Sequence, residues 1–297
     1  MSSDNLCHHL KKMKKYFSLV LFAHSVFALP FAMIGFFLGV TTTENPFSWY
    51  KLILVLLCMV FARNSAMAFN RYLDRNIDAK NPRTKMRDIP AGKVSANEAL
   101  TFVIINCLLF AITTYFINPL CFYLSPVALF VVLFYSYTKR FTALCHLVLG
   151  LGLALAPIGA YIAVTGHFAL VPVLYSLTVL FWVSGFDIIY ALQDEEFDRE
   201  EKLHSIPSAL GIKNALNVSV LLHILSAACV ILPVFFSSFS WVYYVGIVFF
   251  CSMLVYQHLL VKPNDISKVN RAFQTLNGYA SVVFAICFLI DAYLRHK

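Results

Sequence analysis

The chain is poor in charge. Only 13% of its 297 residues are Asp, Glu, Lys or Arg, while 60% are hydrophobic. A soluble globular protein carries about 25% charged residues. This chain cannot cover a water-facing surface with the polar groups it has, and its mean hydropathy of +0.75 agrees. Two soluble domains, the ordinary expectation at this length, are thereby excluded. Disorder is excluded too, because it requires a shortage of apolar residues. Glycine and proline are sparse at 11 each, which rules out a collagenous chain. No two of the eight cysteines are spaced C-x-x-C, and seven lie inside or beside apolar runs. There a thiol behaves as a small hydrophobe rather than as part of a metal or redox cluster.

What the sequence has instead is long apolar runs. A helix needs about 20 apolar residues to cross a bilayer, and backbone groups in lipid must be satisfied within the segment, so such runs are helices. Nine candidates are present, roughly 17–40, 49–69, 98–117, 119–138, 142–164, 168–190, 213–235, 240–261 and 272–294. Lys11, Lys12, Lys14 and Lys15 precede the first run, as in a signal peptide. The run is too long for that and lacks a small-x-small cleavage site, so it is read as a retained first span. The fold class expected is an all-α integral membrane protein in a single domain over 1–297.

Orientation follows from the basic residues. With nine spans, one face holds the four N-terminal lysines, Arg71, Arg75, Lys80, Arg83, Lys85, Arg87, Lys93, Lys139, Arg140, Arg199, Lys202, Lys213, Lys262, Lys268 and Arg271. The other holds Lys51, Arg295 and Lys297. The positive-inside rule makes the rich face cytoplasmic. The net charge of +8 therefore needs no nucleic acid to explain it; topology and anionic lipid suffice. No obligate protein partner is evident.

Two connections on that face are long and polar, about 70–97 and 193–212. The first carries Asn70, Asp74 and Asp78, four residues apart. On a helix these share a face, each turned about 40° from the last. The second carries Asp194 and Asp198, with Asp187 two turns earlier at the inner end of the sixth span. The two pairs are separated by 120 residues at both positions. Each stretch is followed by Ile-Pro (Ile89-Pro90, Ile206-Pro207) and by an Asn placed to cap the next span, Asn97 and Asn214. The pattern resembles an internal repeat of a four-helix unit.

Like charges at i,i+4 weaken a helix, and charge at the end of a span opposes insertion. A divalent cation removes both penalties. Mg²⁺ takes oxygen ligands and is commonly held by one or two carboxylates together with substrate phosphates. Facing Asp pairs thus suit a diphosphate bridged by Mg²⁺, and a solvated acidic helix end is the plainer alternative. Lys139 and Arg140 form a two-charge island in the tight turn between the fourth and fifth spans, where Arg can clamp phosphate oxygens.

These motifs resemble the UbiA superfamily of intramembrane prenyltransferases. The family's N-x-x-x-D-x-x-x-D stands here as Asn70-Asp74-Asp78, and its Y-A-x-x-D-x-x-x-D as Tyr190-Ala191 with Asp194 and Asp198. Residues 81–95 are similar to its R-P-x-x-x-G-x-x-S region, and 135–142 to its Y-P-x-x-K-R-x-T turn. The resemblance covers about 16–294. It implies nine helices in a ring around a central cavity, capped on the cytoplasmic side by the two long links. It implies transfer of a polyprenyl chain from its diphosphate to an aromatic acid of the 4-hydroxybenzoate type, in respiratory quinone biosynthesis, at a bacterial-type inner membrane. Asp74, Asp78, Asp194 and Asp198 would hold Mg²⁺ with help from Asn70, and Lys139 and Arg140 would bind the diphosphate, Arg140 assisting catalysis. Asp187, Tyr190 and His24 are the further candidates for contact with substrate.

One departure bears on the acceptor. Ubiquinone-type members resemble R-x-D-K-P near the first helix, and this chain reads F-A-H-S-V-F-A-L-P-F from Phe22, with His24 its only ionisable residue. That segment resembles a subgroup of which some members act on 1,4-dihydroxy-6-naphthoate in the futalosine route to menaquinone. From other classes, a secondary transporter is the main rival; its charges would sit nearer the midplane. A CDP-alcohol phosphotransferase would need D-G-x-x-A-R, which is missing.

Overall fold

The computed structural model describes residues 27–43 and 47–295. Ten α-helices appear there: α1 Ala28–Thr42, α2 Trp49–Lys80, α3 Ala96–Ile117, α4 Pro119–Thr138, α5 Cys145–Thr165, α6 Leu170–Ala191, α7 Glu195–Glu200, α8 Ile206–Ile231, α9 Trp241–Leu260 and α10 Asn277–Arg295. Among the described residues there is no strand beyond an isolated Lys262–Asp265 bridge. Eight of these helical segments are long and apolar enough to cross a membrane, and α1 is a shorter apolar helix. The described cysteines are all free. The chain is an all-helical integral membrane protein.

Two of the helices that exceed what a bilayer needs carry the acidic motifs. α2 has 32 residues, about 48 Å of helix against a hydrocarbon core of about 30 Å. Its surplus is the segment that carries Asn70, Asp74 and Asp78, so this stretch is helical to Lys80 and the turns begin only at Asn81. α6 continues through a 3₁₀ turn, Leu192–Asp194, into α7, giving 31 helical residues. Both acidic motifs therefore ride on extensions of spanning helices.

The helix starts differ from the sequence expectation. Ser95, not Asn97, caps α3: its hydroxyl accepts from the Glu98 N–H and Glu98 accepts from the Ser95 N–H. Ser205, not Asn214, caps α8 through the same reciprocal arrangement with Ser208. The serine in each case lies just ahead of the first helical turn, where four N–H groups lack intrahelical partners. α8 also begins earlier than residue 213, because a short helical segment precedes a kink at Gly211. The kink has φ 75°, a conformation that favours glycine.

α1 packs between α5 and α10 and also touches α6; α5, α6 and α8 follow as neighbours, and α2, α3 and α4 pack together beside α5. α1 meets α5 closely: a Cβ on Gly35 would lie 2.0 Å from the Pro157 carbonyl oxygen. The core joins Phe31 of α1, Tyr175 and Trp182 of α6, Phe250 of α9 and Phe284 and Phe288 of α10. Between helices already in lipid, such rings contribute through close van der Waals packing and not through removal from water. Exposed aromatics gather at the helix ends opposite the aspartates: Trp49, Tyr115, Tyr123, Phe168, Phe235 and Trp241. That is the distribution of a membrane–water interface. An apolar trough of about 680 Å³ between α8 and α9, lined by Ile231, Ile247 and Cys251, includes none of the aspartates.

Candidate functional site

Asp74 and Asp78 lie on the buried side of the α2 extension, and Asp198 is buried on α7. A carboxylate out of water needs a cation or several donors, and each of the four has them. Arg140, in the α4–α5 turn, donates to Asp74 Oδ1 at 2.8 Å and to the Leu73 and Ser136 carbonyls at 3.1 and 2.8 Å. Asn70 donates to the other oxygen of Asp74 at 3.0 Å. Arg87 reaches both oxygens of Asp78 from a single nitrogen, at 2.8 and 2.9 Å.

The second motif is held by the loop that follows the first. Asn81 donates to Asp194 Oδ1 at 3.0 Å. Arg83 donates to the same oxygen at 2.9 Å through Nε and to Oδ2 through Nη2, a two-pronged pairing suited to guanidinium geometry. Its third nitrogen donates to the Tyr190 hydroxyl at 3.0 Å. Burial alone would lower the Arg83 pKa; the hydrogen bonds and charge of Asp194 outweigh it and raise the pKa above the ordinary guanidinium value. Tyr190 is stacked on Phe273, with ring centroids 4.1 Å apart. Lys80 pairs with Glu201 at 2.6 Å.

Lys139 stands among the motifs. Its ammonium is 3.9 Å from Asp198, and its charge acts on Asp74, Asp194 and Asp198 alike. Its carbonyl accepts from the His204 N–H at 2.7 Å, tying the α4–α5 turn to the second acidic stretch. Aspartates 120 residues apart in sequence thus share one cluster of cations. Among the described residues no three His, Cys, Asp or Glu side chains gather as a ready-made metal site. The donors are carboxylate and carboxamide oxygens, hard ligands of the kind Mg²⁺ takes one or two at a time beside phosphate and water.

Of the residues singled out in the sequence, Asn70, Asp74, Asp78, Lys139, Arg140, Tyr190, Asp194 and Asp198 are brought into this network. Asp187 lies seven residues before Asp194, paired with His146 at 2.7 Å. His24 falls outside the described residues. Sequence reasoning did not single out Asn81, Arg87 or His146. Asn81 and Arg87 sit in a run of polar residues where any could have been a topology charge. The signal for His146 was an ionisable residue seven positions after Lys139, at the start of an apolar run.

The sequence model of the UbiA prenyltransferase family matches residues 28–284. A 4-hydroxybenzoate octaprenyltransferase of Vibrio parahaemolyticus serotype O3:K6 is 29% identical over 243 residues, covering 82% of this chain and 85% of the relative. One from Tolumonas auensis is 28% identical over 237 residues, covering 80% and 82%. Among solved structures, the apo form of a UbiA homologue from Aeropyrum pernix K1 superposes with a TM-score of 0.81 at 31% identity, covering 90% of this chain and 98% of that one. A UbiA homologue from Archaeoglobus fulgidus bound to DMAPP and Mg²⁺ shares the fold, with a TM-score of 0.69 at 22% identity, covering 92% and 99%. A match across nearly the whole of the described chain, on a fold that sets both aspartate motifs against one group of cations, leaves a single assignment: the chain belongs to the UbiA prenyltransferase family.

Proposed function

We propose that the protein transfers a polyprenyl chain from its diphosphate to an aromatic acid of the 4-hydroxybenzoate type, in a Mg²⁺-dependent step of respiratory quinone biosynthesis. The observation that carries this reading is the shared cation cluster: Arg83, Arg87, Lys139 and Arg140 neutralise carboxylates of both motifs. Asp74, Asp78, Asp194 and Asp198 would hold Mg²⁺, with Asn70 beside Asp74. When bound, the ion supplies electrostatic stabilisation of the departing diphosphate. The chain's own part is to hold and orient. Lys139 and Arg140, which pair here with Asp198 and Asp74, would be free to bind diphosphate oxygens once those carboxylates held the ion. Arg83 keeps the two acidic stretches joined and positions the Tyr190 hydroxyl. The surrounding helices keep water from the allylic carbon, which would otherwise be quenched.

The reading places the motifs at the cytoplasmic face of a bacterial-type inner membrane, with the exposed aromatics at the opposite interface. Its substrates are a polyprenyl diphosphate and an aromatic acid, within membrane lipid. The segment around His24, which lacks the cations of ubiquinone-type members, favours 1,4-dihydroxy-6-naphthoate as a second acceptor to test. The test offers membranes containing the protein both acids with a labelled polyprenyl diphosphate. Label should enter one of them in a Mg²⁺-dependent manner, and Asp74→Ala or Asp194→Ala should abolish it while the protein still folds. Neither acid labelled while a solute gradient moves would establish a transporter instead.

A further inference from the structure

Seven residues before Asp194, and so about 10 Å further along α6, Asp187 meets a partner that the diphosphate cluster does not use. Its Oδ2 lies 2.7 Å from Nδ1 of His146 on α5. The other ring nitrogen of His146, Nε2, lies 3.3 Å from the backbone nitrogen of Ile206. That backbone group can only donate, and it belongs to the first turn of α8, where no intrahelical acceptor exists. Nε2 is therefore placed to accept, and the Nδ1 proton is the one donated to Asp187. One bond fixes the tautomer that the other needs. The Ser184 hydroxyl donates to the His146 carbonyl at 3.1 Å and anchors the start of α5 against α6.

The two members of the pair differ in access. The His146 side chain is 4% exposed and the Asp187 side chain 22%. An ionised carboxylate accepts through both oxygens. Oδ2 is taken by His146, and among the described residues Oδ1 accepts no hydrogen bond. The pair is also electrostatically close to both acidic motifs. The half-buried Tyr135 of α4 feels the charges of both Asp74 and Asp187, and His146 acts on Asp198. A histidine buried with both nitrogens engaged, holding a partly exposed carboxylate with one oxygen left over, is an arrangement for receiving a proton from a group that reaches that oxygen.

We infer that Asp187, oriented by His146, is the base that takes the hydroxyl proton of the aromatic acceptor. This rests on the prenyl-transfer reading above and adds a role that reading does not contain. A neutral phenol, with a pKa of about 10, is a poor carbon nucleophile. As Asp187 takes the O–H proton, the oxygen's electron pair feeds the ring. The ortho carbon bonds to the allylic carbon, the allylic C–O bond breaks, and its electron pair leaves on the diphosphate. The ring carbon then gives its proton to the departing diphosphate. The electron pair restores aromaticity, and Asp187 returns the first proton to oxygen. One C–C bond forms, one C–O bond breaks, and one proton is released with the diphosphate. Asp187 ends as it began. His146 is a positioning residue throughout, since it touches Asp187 and not the substrate.

The test uses the full-length protein in lipid nanodiscs with a polyprenyl diphosphate and whichever hydroxyaromatic acid the wild type prenylates. Loss of a general base costs about 10²–10⁴ in rate. Asp187→Asn should lower kcat by at least about 10²-fold, while KM for the diphosphate moves by less than about threefold. His146→Ala should lower kcat by about tenfold or more, and His146→Gln, which keeps an N–H donor, should recover most of that loss. A plain helix-to-helix tether would change stability and leave kcat alone. Asp187→Asn within about threefold of wild-type kcat would overturn the inference and leave prenyl transfer intact. If Asp187→Asn does not fold, equal kcat for the Gln and Ala variants at His146 overturns it instead. If the wild type prenylates no hydroxyaromatic acid, the prenyl-transfer reading fails and this inference falls with it.

Discussion

Replacing Lys139 by Met keeps the aliphatic stem and removes one positive charge from the middle of three carboxylates. The consequences for metal and for turnover have opposite signs. Unit charges at the 3.9 Å separating Lys139 from Asp198 interact by about 4 kcal/mol at an effective dielectric of 20. The Lys139 side chain is 31% exposed, and partly solvated pairs deliver nearer 1 kcal/mol. Without substrate, the carboxylates of Asp74, Asp194 and Asp198 lose a competing cation, so a divalent ion should bind about fivefold more tightly. With substrate, the diphosphate loses one of the charges prepared for it, and kcat should fall by about 10²-fold. Isothermal titration of the substrate-free protein with Mg²⁺ reads the first effect, and steady-state kinetics at saturating Mg²⁺ the second. Weaker Mg²⁺ binding in the variant, or unchanged kcat, would refute the idea that Lys139 trades carboxylates for diphosphate.

Two further outcomes follow from particular contacts. Arg83→Gln removes the pairing with Asp194 and the bond to Tyr190, each charge-assisted bond contributing about 1.5–3 kcal/mol. Steady-state kinetics should register about a tenfold loss of kcat/KM for the diphosphate, and trypsin should cut faster within 81–95; unchanged cleavage would mean that the loop is held by something else. Gly35→Ala forces a methyl group into the Pro157 backbone. Overpacking of this kind costs about 1–3 kcal/mol, so the unfolding temperature in detergent should drop, and an unchanged value would show that α1 and α5 can part without cost.

Eight of the nine expected spans and both aspartate motifs were legible because composition and spacing are local properties; the first expected span lies partly outside the described residues. Twenty apolar residues in a row, or carboxylates every fourth position, mean the same thing whatever surrounds them. The pairing of those aspartates was not legible. Arg83 and Asn81 meet Asp194 across 111 and 113 residues, and which of several nearby basic residues does so depends on how the α2 extension lies against α7. His146 was missed because a lone histidine in an apolar run has no period and no spacing; only the packing of α5 on α6 gives it Asp187. The helix caps failed for a smaller reason. Asn97 and Asn214 are good capping residues, but Ser95 and Ser205 stand ahead of them with a partner three positions on, and the reciprocal pair wins. Ser205 also begins a helical turn that only the Gly211 kink separates from the span proper.

The central claim is that both aspartate motifs act on one diphosphate. Binding of a thio-substituted polyprenyl diphosphate that cannot ionise, measured by titration into Mg²⁺-loaded nanodiscs, tests it without requiring turnover or a known acceptor. Asp74→Ala and Asp194→Ala, taken from opposite motifs, should each weaken that binding by about tenfold or more, and the double variant should lose little beyond the worse single one. Full affinity in either single variant, or fully additive losses in the double, would mean that the two motifs serve separate sites.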